Sequence, residues 1–186
     1  MSEELKYDGA DTVEVKTGTA VENRDVPLTQ VATLQALMQA SQGTQLALLT
    51  LQTAQPTGYG RIVRNAHGEV QAIVEEKDAT AEQRAISEIY SGIMAVPTRM
   101  LRTWLARLDN HNAQQEYYLT DVVKFARADG QAVAAHLITD AAEVAGVNNP
   151  VQLAELERAH QARLAHALML SGVRLADPAR LDVRGT

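Results

Sequence analysis

The sequence predicts an α/β layered domain, and three observations carry that prediction. Leu46 to Leu51 is an unbroken apolar run of strand length, the pattern of a strand covered on both faces. Strand-like and helix-like stretches then alternate along the chain, which is how layered α/β folds are built. Pro150 opens a long helical pattern that runs to about Leu170 and meets a stop at Gly172.

The elements follow in order. Thr12 to Thr17 alternates and suggests a short strand, with Gly18 as a turn, so residues 1–24 form either an edge hairpin or a loosely held arm. Thr29 caps a helix in which Val31, Leu34, Leu37 and Met38 share one face, and Ser41-Gln42-Gly43 ends it. After the strand Leu46–Leu51, Pro56 closes the run and Thr57-Gly58-Tyr59-Gly60-Arg61 reads as a loop with exposed backbone. Ile62–Arg64 and Val70–Val74 form two short strands around the turn Asn65-Ala66-His67-Gly68. Thr80–Ala85 is a short helix. Ile89–Val96 is a strand with Gly92 inside it, where the backbone is expected to approach something closely.

Pro97 starts the next helix, with Met100, Leu101, Trp104, Leu105 and Leu108 as its apolar stripe. Asp109–Gln115 is a polar loop. Glu116–Asp121 leads into a helix carrying Val122, Val123 and Ala126 that stops at Gly130. Val133–Ile138 is a strand, and 140–149 is a loop. In the long helix, Leu153, Leu156, Ala159 and Leu164 mark the buried side, and the tail from Val173 reads as a connector.

Composition excludes several classes. A formal net charge of -6 argues against a general binder of nucleic acid or of anionic membrane surface. The absence of cysteine rules out disulfides and cysteine-based metal sites, and suits the cytoplasm. No apolar run approaches bilayer-spanning length, and the N-terminus lacks a signal-peptide core.

The residues that bear chemistry each have an ordinary alternative. Asp25 is either a turn aspartate or a carboxylate at a strand end facing a ligand crevice. Asn148 and Asn149 are either loop asparagines or oxygen donors, and Mg²⁺ needs only one or two such donors from a protein. Glu75, Glu76 and Lys77 fit a solvated strand end, and Glu116 and Thr120 fit a helix start. The histidines, His67, His111, His136, His160 and His166, show no ligand spacing. No His-Glu-x-x-His, Gly-x-Ser-x-Gly or phosphate-loop motif is present, so hydrolase and phosphate-loop NTPase chemistry loses ground.

Taken in order, these segments resemble one family. They are Asp25-Val26-Pro27-Leu28, then Pro56 to Ile62, then Ile73-Val74-Glu75-Glu76-Lys77-Asp78-Ala79. Glu88-Ile89-Tyr90-Ser91-Gly92-Ile93 and Asn112 to Asp121 follow. Gly146-Val147-Asn148-Asn149, Asp177-Pro178-Ala179-Arg180 and Arg184-Gly185-Thr186 complete the set. The set is similar to the bifunctional N-acetylglucosamine-1-phosphate uridylyltransferase / glucosamine-1-phosphate N-acetyltransferase family, from Asp25 to Thr186. The resemblance implies a Rossmann-like nucleotidyltransferase (nucleotide-diphospho-sugar transferase) fold, incomplete at its N-terminus. It implies a non-matching arm over 1–24, the later part of the uridylyltransferase domain over 25–172, and over 173–186 a connector to an absent left-handed β-helix.

The implied reaction joins UTP to N-acetylglucosamine 1-phosphate. It gives UDP-N-acetylglucosamine and pyrophosphate for peptidoglycan and lipopolysaccharide synthesis. The resemblance implies that Asp25 and Asn148 serve catalysis by holding Mg²⁺. It implies that Gly60, through its backbone, Glu75 and Thr120 bind the sugar with Tyr118 nearby.

The departures set limits. The family's Gly-rich nucleotide loop and its uracil-recognising segment have no match in residues 1–24. Asn23-Arg24 stands where the family has Tyr-Gly, and Tyr90 stands where it has a sugar-binding asparagine. The family's trimer surface and acetyl-CoA site are also unmatched. The expectation is therefore a chain that alone makes no UDP-N-acetylglucosamine. It is also expected to self-associate through an exposed sheet edge, or to have residues 13–22 serve as a substitute strand. The alternatives are a non-catalytic sugar-phosphate-binding or scaffold remnant and another sugar-phosphate nucleotidyltransferase.

Overall fold

The computed structural model describes residues 12–15, 19–22 and 26–185. These fall into two compact units, one of residues up to 24 with 30–139, the other of residues 25–29 with 140–186.

The first unit is built on a seven-stranded mixed sheet, so the α/β class is borne out. Its strands are β1 (Thr12–Val15), β2 (Thr19–Glu22), β3 (Leu46–Gln52), β4 (Arg61–Arg64), β5 (Val70–Val74), β6 (Glu88–Pro97) and β7 (Val133–Ile138). The main path runs β1-β2-β6-β3-β7, with β4 pairing β5 and β6 off this path. The run Leu46–Leu51 is buried as its composition predicts, because β3 lies between antiparallel β6 and parallel β7. β1 and β2 pair antiparallel, and β2 adds antiparallel to β6, with Thr19 opposite Pro97 and Glu22 opposite Met94. Of the residues foreseen as a substitute strand, 13–22, the described residues 19–22 pair with β6.

On β6, Met94 faces Leu48 of β3 while Tyr90 faces Thr50, so β6 carries extra residues between those two pairs. Gly92 sits in this bulge at φ 91°, a conformation that costs a side-chain-bearing residue dearly. Between β4 and β5, the Asn65 Oδ1 accepts from the amides of His67 and Glu69, and Gly68 at φ 80° closes the predicted turn.

The helices of this unit are α1 (Val31–Ser41), α2 (Ala81–Arg84), α3 (Thr98–Leu105) and α4 (Val122–Ala128). α2 has a capping box in which the Thr80 hydroxyl accepts from the Gln83 amide and the Gln83 side chain accepts from the Thr80 amide. Trp104 of α3 and Val122, Val123 and Ala126 of α4 pack with Leu46, Leu48 and Ile73 in one apolar core. The Trp104 indole donates to Asp129 Oδ2 at 2.8 Å, which satisfies the one polar atom of that buried ring. Leu105, predicted as part of the stripe, is exposed because α3 ends there and the stripe continues only through Leu108.

The second unit contains α5 (Pro150–Leu170) and short 3₁₀ turns at Ala141–Val144 and Pro178–Arg180. Asn149 caps α5 by accepting from the Gln152 amide at 3.0 Å. The buried positions of α5 are Leu156, Gln161 and Ala165; Leu153, expected inside, is exposed. The buried Gln161 side chain behaves like a peptide group. Its Nε2 donates to the Val183 carbonyl at 3.0 Å, and its Oε1 accepts from the Val183 amide at 2.8 Å. The tail read as a connector is fastened to α5 at Val183, with Arg158 and Asp182 paired beside it at 3.2 Å.

Thr29 does not cap α1, which begins from Gln30. Its hydroxyl donates instead to the carbonyls of Val26 at 3.0 Å and Glu143 at 2.7 Å, inside the second unit.

Candidate active site

Gly60 ends the loop before β4, and its backbone is packed too tightly for any side chain. A Cβ there would lie 2.7 Å from Ile73 Cγ2, and 3.5 and 3.6 Å from the two carboxylate oxygens of Glu75. The Gly60 carbonyl accepts from the Tyr90 amide at 2.8 Å, fixing the loop end to β6. Glu75 follows β5, and its Oε1 accepts from the buried Thr120 hydroxyl at 2.9 Å. The structure thus brings together Gly60, Glu75 and Thr120, three of the four residues assigned to sugar binding by resemblance.

Tyr118 lies on the same loop as Thr120, and its hydroxyl accepts from Gln114 Nε2 at 2.9 Å. Burial, with the Asp78 and Glu75 carboxylates nearby, pushes its phenol above the ordinary value against the opposing Gln114 hydrogen bond. Two contacts bind the 112–118 loop to the turn that holds Glu75. The Ala113 amide donates to Asp78 Oδ1 at 2.9 Å, and Lys77 Nζ donates to Gln114 Oε1. Tyr90, at the position where a sugar-binding asparagine is expected, is buried in the apolar core.

The acidic run after β5 is more than a solvated strand end. Glu75 and Glu76 are neighbours in sequence but take different partners. Glu76 Oε2 accepts from Arg61 Nη2 at 2.5 Å and from the Gly58 amide at 3.4 Å. The Arg61 bond, more than any other influence, holds the Glu76 carboxyl below the usual carboxylate range. Arg61 belongs to no recognised catalytic motif. Its only sequence signal is a cation entering a strand directly after Gly-Tyr-Gly, with an acidic run at the end of the paired strand.

Asn148 lies in the second unit and is exposed; Asp25 lies outside the described residues. Asn149, not Asn148, does the capping, and the Asn148 backbone amide donates to Gln152 Oε1 at 2.8 Å. That leaves the Asn148 side-chain carbonyl available as a hard oxygen donor of the kind Mg²⁺ accepts. The residues just after Asp25 are tied to the segment that leads to Asn148 through Thr29 to Glu143, and to α5 through Arg163 Nη1 to the Leu28 carbonyl at 3.0 Å. Among the described residues no group of three or more His, Asp or Glu side chains forms a metal cluster.

No family model matches the chain. Curated relatives match it closely. It is 71% identical over 170 residues to the bifunctional protein GlmU of Polaromonas naphthalenivorans strain CJ2, covering 90% of this chain and 36% of that protein. It is 69% identical over 175 residues to GlmU of Polaromonas sp. strain JS666, with the same coverages. It is 58% identical over 161 residues to GlmU of Dechloromonas aromatica strain RCB, covering 87% of this chain and 35% of that one. Among solved structures, a nucleoside-diphosphate-sugar pyrophosphorylase from Vibrio cholerae RC9 aligns with 62% of this chain and 47% of its own, at TM-score 0.47 and 16% identity. The chain spans about a third of the length of the curated relatives it matches. At such identities, over nine-tenths of its own residues, the chain belongs to the GlmU family.

Proposed function

We propose that the chain supplies the sugar-phosphate side of a uridylyl-transfer site that joins UTP to N-acetylglucosamine 1-phosphate. The observation that supports this most is the meeting of Gly60, Glu75 and Thr120. A backbone bare of Cβ lets Ile73 and Glu75 pack directly against the loop, and the carboxylate so placed accepts hydrogen bonds from sugar hydroxyls. Thr120 orients that carboxylate, and Tyr118 borders the same place.

In the reaction, a phosphate oxygen of the sugar phosphate bonds to the α-phosphorus of UTP. The bond from that phosphorus to the bridging oxygen breaks, and pyrophosphate leaves. The attacking phosphate is already an anion, so the chain's task is to bind and orient it rather than to remove a proton. We also propose that Asp25 and Asn148 hold Mg²⁺, which when bound neutralises phosphate charge. The setting proposed is cytoplasmic synthesis of cell-wall and lipopolysaccharide precursors. Among the described residues no helix is long and apolar enough to cross a membrane.

Residues 1–24 hold no match to the Gly-rich nucleotide loop, so for this chain alone we propose sugar-phosphate binding without turnover. Calorimetric titration with N-acetylglucosamine 1-phosphate tests this. Saturable binding that is lost in Glu75→Ala supports the proposal. Absence of binding by the wild type overturns it, and turnover with UTP and Mg²⁺ overturns the restriction to binding.

A further inference from the structure

Arg61 is the feature that the proposed site leaves unexplained. Its side chain is only 1% exposed, yet it sits next to a glycine in a loop. Burying a guanidinium is costly unless its donors are met. Here one arm, Nη1, donates to the Tyr59 carbonyl and the other, Nη2, to Glu76 Oε2 at 2.5 Å, while Nε has no partner. The same Glu76 oxygen accepts from the Gly58 amide, and Arg84 Nε donates to the Glu76 carbonyl at 3.2 Å. The peptide units 57–58 and 59–60, on either side of the Gly58-Tyr59 bond, are thereby tied to the end of β5, the first through Glu76 and the second through Arg61. The next residue is Gly60.

We infer that Arg61 and Glu76 form a clamp that positions the Gly58–Gly60 backbone against Glu75, and so set the affinity of the sugar-phosphate site without touching the ligand. This rests on the function proposed above. The clamp needs the forked guanidinium, because one group must reach a carbonyl and a carboxylate at once. A lysine ammonium presents a compact point charge instead.

The test combines two measurements on the full chain with Arg61→Lys, Arg61→Met, Glu76→Gln and the double variant Arg61→Met/Glu76→Gln. The first is calorimetric affinity for N-acetylglucosamine 1-phosphate. The second is amide exchange of Gly58 and of Tyr90, whose N–H is held by the Gly60 carbonyl, in the ligand-free protein. Each single variant is expected to weaken binding about tenfold, with the double no weaker than the worse single, as for two residues acting as one unit. Arg61→Lys does not rescue. The Gly58 and Tyr90 amides exchange faster while those of Val122 and Val123 keep their protection.

Unchanged exchange at Gly58 and Tyr90, or additive losses in affinity, overturns the clamp. Should Arg61→Met fail to fold, Glu76→Gln alone decides, since Glu76 is only partly buried and glutamine keeps its shape. A wild type that binds no sugar phosphate overturns the proposed function and the affinity role. The exchange data then still decide whether the clamp exists.

Discussion

The Thr120 hydroxyl donates to Glu75 Oε1 at 2.9 Å, joining the 3₁₀ turn before α4 to the residue after β5. Thr120 is buried, so this bond is shielded from competing water. Thr120→Val keeps the shape and removes the donor. We expect a stability loss of about 1 kcal/mol in urea denaturation, the usual worth of one such bond. Weaker binding of N-acetylglucosamine 1-phosphate should accompany it. A variant with wild-type affinity would show that Glu75 needs no orienting partner.

Gly60→Ala places a methyl where only 2.7 Å separates it from Ile73 Cγ2. Overpacking of this kind costs about 1–3 kcal/mol. Ile73→Ala removes the obstructing atom, at its own cavity cost. The double variant Gly60→Ala/Ile73→Ala is therefore expected to be more stable than the sum of the two single losses predicts. Denaturant midpoints of the four proteins check this, and simple additivity would place the strain elsewhere.

Glu88 gives the protein an acid-sensitive contact. Burial pushes its carboxyl upward, but the hydrogen bonds and the charge of Arg64, with the Thr50 hydroxyl nearby, outweigh that, leaving it below the ordinary 4.5. Both Arg64–Glu88 hydrogen bonds are 2.7 Å long. A carboxylate depressed in the folded state adds stability that is fully present above its unfolded value and is lost as pH falls through the folded one. Glu88→Gln should therefore be less stable than wild type at neutral pH. The difference should shrink as pH drops below 4.5. Thermal melts across that range read it directly.

Asn148 and Asn149 separate a ligand role from a structural one. Asn149→Ala removes the side-chain cap of α5 and should cost about 1 kcal/mol. Asn148→Ala leaves its backbone bond to Gln152 in place and should leave the melting temperature near wild type. The reverse ranking in melts would mean that the exposed asparagine carries the fold.

Deleting residues 1–22 removes the strand that pairs with Met94–Pro97 of β6. That edge then presents unpaired backbone groups, and association through it is expected. Sedimentation velocity should show the deletion variant as larger species at concentrations where the full chain shows fewer.

The sequence announced its elements better than their partners. Runs such as Leu46–Leu51 and turns such as Asn65–Gly68 act locally, so composition suffices to place them. Gly60, Glu75 and Thr120 lie far apart in the chain, and only an ordered resemblance singled them out before the fold joined them. Leu153 was misplaced because a helical stripe shows which residues share a face, not how far the covering layer extends. Thr29 was misplaced because its hydroxyl found carbonyl acceptors at Val26 and Glu143, in place of a helix amide. The Arg61–Glu76 pair was invisible for a different reason. Charge neutralisation inside a fold leaves no periodic trace.

The pairing of β3 also fixes an order of events during synthesis. β4 and β5 close across a turn of a few residues as soon as both are made, so little chain entropy opposes them. β3 can meet β6 once Pro97 has emerged, but its other side stays open until Val133 arrives to pair with Leu46. A nascent chain halted before β7 thus holds a central apolar strand with one flank bare. A strand buried along nearly its whole length is the one left waiting longest on the ribosome.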